Sequence, residues 1–225
     1  AQASKIQNIL PRHIKKFYKY QINNNSDLNE IINKMNHGPY TNSYQLSDND
    51  WQPSEISIAY NKSELKTPDF IIFKTNQKTE CINHLESYHD DDFSHIQHLD
   101  YVIKKLQNNL ISNDNWLKKI TNYGTENYYV SIQDYIIICN NIKEMKSMIN
   151  NIIANQTIGK SKALQIIDNK LGEKSHTSTY INLNNIKHTW KQIFNSIVVR
   201  HIASQKYFFS SLILLYDQSQ IINPT

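Results

Sequence analysis

The residues best equipped for chemistry lie between Cys81 and Asp100. They run Cys81-x2-His84-x4-His89-Asp90-Asp91-Asp92-x2-His95-x2-His98-x-Asp100. Four of the nine histidines and three consecutive aspartates fall within these 20 residues. Imidazole, carboxylate and thiolate are the ligands of zinc and other transition metals. His95 and His98 are three apart and would share a face if the segment were helical. The spacing matches no standard zinc motif, and ligand type without ligand spacing is weak grounds for a site. The stretch therefore reads as a solvated acidic loop with surface histidines. Metal binding or metal-dependent catalysis at Asp90 to His98 is the alternative, and no metal or other cofactor is expected.

Other catalytic patterns are missing. There is no Gly-x-Ser-x-Gly and no cysteine in a glycine-bounded turn. With four isolated glycines, neither a phosphate-cradling loop nor a dinucleotide-binding turn can be written. Two cysteines cannot form a disulfide framework. Cys81 on an apolar helix stripe and Cys139 at the end of an apolar run both read as small buried hydrophobes. The chain is expected not to be an enzyme.

Binding is the better-supported class. Tyrosine suits interfaces because it is large, rigid and polar at one end, and the chain holds 14. Tyr40, Tyr44 and Trp51 fall in one polar loop, 40–53. The run Tyr207 to Tyr216 is the most apolar in the chain, and includes Phe208, Phe209 and Leu212. An uncovered strand of that kind is an edge open to pairing. These six residues are the candidate protein contacts.

Nucleic acid is a poor partner. The formal charge of +4 comes almost entirely from lysine, with only two arginines, and lysines alternate with Glu and Asp. Bidentate phosphate and guanine contacts need Arg. No apolar run approaches the ~20 residues of a membrane span. Ala1-Gln2-Ala3-Ser4 suits a freshly cleaved secretory N-terminus. The 29 Asn and 34 Ile are the mark of an AT-rich coding sequence, so Asn runs carry little meaning.

The elements that must position these residues centre on Tyr128 to Ile153. Tyr128 to Ile132 and Tyr135 to Cys139 read as strands joined by the two-residue turn Gln133-Asp134. Three adjacent isoleucines in the second strand predict cover on both faces. Asn141 caps a helix, with Glu144 where a capping box puts its acid. Ile142, Met145, Met148, Ile149, Ile152 and Ile153 form its apolar stripe.

Further strands are expected at Phe17 to Ile22, Ile56 to Tyr60, Phe70 to Phe73, Tyr101 to Leu106, Thr179 to Leu183 and Tyr207 to Tyr216. Helices are expected after Ser26, after Asn76, after Ser112, between Gly159 and Gly172, and over Ile186 to Ile197. The class is α+β: short antiparallel sheets with helices packed on one face. Asp69 to Phe73 echoes Asp134 to Ile138, and Tyr18 to Asn24 echoes Tyr180 to Asn185. The echoes point to two pseudo-repeated units. The chain is read as one module, 1–225, with 1–92 and 93–225 as candidate sub-units.

DYIIICNNIKEMKSMI, then a helix ending near Leu171-Gly172, then Tyr180-Ile181-Asn182-Leu183, resembles a bacterial extracytoplasmic family of unknown function. In that family a hairpin of the pattern y-y-x4-d-x-l-v-x-s-n-s-x-e leads into a helix, a second helix follows, and then a Y-I-N/D-L strand. Ile9 to Tyr20 also resembles its opening. Cys139-Asn140-Asn141 departs from the pattern, which has small Ser or Asn there. The resemblance spans most of Ile9 to Ile186 and implies a secreted or envelope-anchored module, with an N-terminal anchor outside this sequence as its membrane attachment. Family members continue past this length, so the chain is expected to be a fragment or a truncated relative. Its partner would be a protein or a larger envelope assembly.

Overall fold

The computed structural model describes residues 5–23, 27, 31, 51–61, 68–87, 95–106, 127–161, 165, 177–182, 194–203 and 208–216, with 177, 182, 194–203 and 208–216 described by their backbone alone. The strands are β1 (Lys16–Gln21), β2 (Glu55–Tyr60), β3 (Phe70–Lys74), β4 (Ile96–His98), β5 (Tyr101–Leu106), β6 (Asn127–Ile132), β7 (Tyr135–Cys139), β8 (Thr177–Asn182), β9 (Phe194–Ala203) and β10 (Phe208–Tyr216). The helices are α1 (Lys78–Glu86) and α2 (Ile142–Ile153).

The class is α+β, with strands paired antiparallel. The expected short sheets are instead one sheet of ten strands, in the order β10-β9-β8-β1-β2-β3-β7-β6-β5-β4. The pair β3–β7 fuses the hairpin groups, with Ile72 opposite Ile137. Both candidate sub-units share the sheet, because β8 pairs with β1 and β7 with β3.

The helices cover opposite faces, where one face was expected. Met145, Met148 and Ile149 of α2 pack with Phe70, Ile72, Tyr135 and Ile137. Cys81 and Leu85 of α1 pack with Ile71, Phe73, Ile136 and Ile138. The cause is in the strands. β3 begins Phe-Ile-Ile-Phe and β7 is Tyr-Ile-Ile-Ile-Cys, apolar at successive positions. Side chains alternate between faces, so cover on one side alone would leave half of them in water. All five β7 residues are buried, as expected.

The two stretches of the first sequence echo pair with each other as β3 and β7, which does not establish a repeat. Phe70 lies opposite Cys139 and Lys74 opposite Tyr135, so matching residues sit twofold about the β3–β7 pair. A whole repeated unit would put both helices on one face, which they do not share.

One expected element changes and one strand appears that was not expected. The helix over Ile186 to Ile197 gives way to β9 from Phe194, which carries the β-branched run Ile197-Val198-Val199 and pairs with both β8 and β10. His95 and His98 would have shared a face on a helix, but Ile96 to His98 form the strand β4, with His95 just before it. Its hairpin to β5 turns on Leu99 at φ 53°, as the β6–β7 hairpin turns on Gln133 at φ 54°. Both are non-glycine residues in the left-handed region that tight hairpins require. The helix expected at 112–124 lies outside the described residues; of the one expected between Gly159 and Gly172, Ile158–Lys160 form a 3-10 turn, Gln165 is helical, and 162–164 and 166–172 lie outside the described residues.

The N-terminal segment is clasped to the chain after α2. Ile158 donates its N–H to the Leu10 carbonyl at 2.8 Å, and Arg12 donates to Gln156 at 3.1 Å. Gly159 permits this approach: a Cβ there would stand 2.3 Å from Asn8 Oδ1 and 3.0 Å from the Gln7 backbone.

Candidate functional site

The structure splits the His/Asp stretch. Cys81 is fully buried in the core beneath α1. His84 stands edge-on to the Trp51 ring, 6.2 Å between centroids, beside the same core. His98 pairs instead with Asn150 on α2, Nε2 to Oδ1 at 2.9 Å. α1 and α2 cover opposite faces, so His84 and His98 belong to different sides of the sheet. His95 is exposed, and His89 to Asp92 lie outside the described residues. Among the described residues no three His, Cys, Asp or Glu side chains converge on a metal position.

Trp51 is corrected from surface contact to core. It is buried, edge-on to Phe73 at 5.8 Å. A tryptophan flanked by polar residues looks exposed in sequence, but its side chain belongs to the buried cluster of Phe73, Cys81 and Leu85. Tyr40 and Tyr44 lie outside the described residues. Phe208, Phe209 and Leu212 have their backbone in β10, at one end of the sheet.

Both thiols sit in the core and are free cysteines. Burial pushes the Cys81 thiol up to about 12. Cys139 is also pushed up to about 12, by burial first and by Asp69 and Glu144 less. Neither suits a nucleophile, because the thiolate is the reactive form.

The most unusual chemistry is a buried polar group that sequence reading did not assemble. Gln21 on β1 faces Glu55 on β2, and Lys19 faces Ser57. Ser178 on β8 stands across from Lys19, and Lys74 on β3 across from Glu55. By strand alternation these residues share the face of Phe17 and Ala59, which belong to the α2-side core. Glu55 is 6% exposed and Ser57 0%. Lys19 Nζ approaches Glu55 Oε2 at 3.6 Å. The other carboxylate oxygen, Oε1, has no hydrogen-bond partner, nor do Gln21 Oε1 and Ser57 Oγ, and all three are buried. Buried polar atoms without partners are rare in proteins. Burial raises the Glu55 pKa, outweighing Lys19 and then Lys74, which lower it. The sequence signal pointed the other way: Glu55-Ile56-Ser57-Ile58 alternates polar and apolar, which reads as a strand with Glu55 and Ser57 facing solvent. Which residues would face them depended on pairing β1 with a strand whose nearest paired residue, Glu55, lies 34 positions after Gln21.

No protein-family model matches the chain, and no curated protein does. Solved structures similar to it include two crystal forms of TP0453. Crystal form I of TP0453 is 9% identical, covers 98% of this chain and 82% of its own, with TM-score 0.49. Crystal form III of TP0453 is 8% identical, covers 98% and 83%, with TM-score 0.47. At such identity the likeness says nothing of activity.

Proposed function

We propose that the chain is a non-catalytic extracytoplasmic module that docks a protein partner along the β10 end of its sheet, within a bacterial envelope assembly. The observation that carries this reading is the character of that end. β10 is nine residues long, FFSSLILLY, with no charge and no proline. Among the described residues it pairs with β9 alone. Natural edge strands are usually short, charged or broken by proline. The opposite end, β4, is three residues long and is followed directly by a turn. A long, uncharged strand with one partner among the described residues suits a partner protein that adds a strand. The resemblance to an extracytoplasmic family supports the location, and no helix among the described residues is long and apolar enough to cross a membrane.

The test is size-exclusion chromatography with light scattering, on wild type and on a Leu212→Lys/Leu214→Lys variant. A second chain or a co-purifying protein should be lost when the edge becomes charged. A clean wild-type monomer that behaves like the variant sinks the reading.

A further inference from the structure

We propose that Glu55 carries a proton in the folded chain, that it donates this proton as a hydrogen bond to the Gln21 side-chain oxygen, and that losing it loosens the seam between β1 and β2. Glu55 Oε1 and Gln21 Oε1 come from directly opposed residues of neighbouring strands. Cβ atoms of such pairs stand roughly 4.5–5.5 Å apart. Both oxygens are buried and neither has a donor. Two acceptors cannot bond, but one proton makes the first a donor and the second its acceptor. Ser57, two residues along the same face, offers the alternative acceptor.

The charged groups set against Glu55 are Lys19 from β1 and Lys74 from β3. Both favour the ionised carboxylate. Lys19 serves Oε2 alone, by its charge and by a long hydrogen bond at 3.6 Å, and both of these lower the Glu55 pKa by less than burial raises it. Lys74 is also drawn to the Tyr135 ring, 5.6 Å from its centroid. Burial therefore prevails. On ionisation the proton leaves to solvent and a bare carboxylate oxygen faces an amide oxygen without water. Opening the strand pair is the route by which water reaches it. β8, β9 and β10 join the sheet through β1, so loosening at this seam acts on four strands. The sign follows. A carboxyl whose folded pKa lies above its unfolded one stabilises the fold at low pH. That stability is lost as pH rises from the unfolded value, about 4.3, through the folded one.

The experiment is a carbon-13 titration of glutamate carboxyls in the wild-type chain, with the Glu55 resonance assigned through its backbone. Amide exchange along β1 is then followed against pH in wild type and in Glu55→Gln. The expected Glu55 midpoint lies above the ordinary ~4.3. β1 exchange in wild type should rise above that midpoint by more than base catalysis alone, and E55Q should lack the extra rise. A midpoint at or below ~4.3 overturns the proposal. So does β1 exchange with the same pH dependence in both proteins. If E55Q does not fold, the wild-type titration still decides.

Discussion

Cys81 and Cys139 show how far burial alone dictates a side chain's chemistry. Each thiol is pushed up to about 12, against an ordinary 9.0, so at pH 8 its thiolate fraction falls on the order of a thousandfold. Alkylation of the native chain at pH 8 should therefore be slow at both cysteines, and fast once urea unfolds it. Mass spectrometry of timed quenches checks this, and equal native and unfolded rates would refute it. Both cysteines were legible as buried hydrophobes, because each sits on an apolar stripe or run. Trp51 was not legible, because its neighbours in sequence are polar while its neighbours in space are Phe73 and His84.

Among the elements, α2 is the one whose ends and face matched expectation most closely. It runs from Ile142 to Ile153, and Asn141 accepts from the N–H groups of Lys143 at 2.9 Å and Glu144 at 3.4 Å. The capping box is only half formed. Glu144 accepts instead from Asn61 Nδ2 at 2.8 Å, and the Asn141 N–H points to the Cys139 sulfur at 3.4 Å. Ile153, expected in the apolar stripe, is 47% exposed where the helix ends. Asn141→Ala should lower stability by about 1 kcal/mol, because the first-turn donors lose their acceptor. Urea unfolding measures it, and an unchanged midpoint would show the cap contributes nothing. β9 went unread because Ile193, Phe194 and Ile197 also fit helical spacing. Its strand state comes from the two partners it finds in β8 and β10.

For the whole molecule, the decisive feature is a sheet centre buried on both sides. Ile137 is fully buried in the α2-side core, while its neighbours Ile136 and Ile138 belong to the α1-side core. Ile137→Asp should unfold the chain, since an unpaired buried carboxylate costs several kcal/mol against a total stability of about 5–15 kcal/mol. Circular dichroism during heating checks this, and wild-type melting would overturn the burial. The same sheet unites both candidate sub-units, because β1 and β3 take as partners strands from the far half of the chain.

What the sequence determined by itself was local. Apolar periodicity, the two-residue turn at Gln133-Asp134 and the Asn141 cap specified the β6–β7–α2 unit, because neighbours within a few residues decide it. The double cover of β7 was legible too, from three isoleucines in a row. Tertiary structure alone decided which face each helix took, that the hairpins fuse into one sheet, and that β10 stands at its end. It also placed Gln21 against Glu55. Those outcomes rest on strand pairings between distant residues. No short window of sequence contains both partners of such a pair.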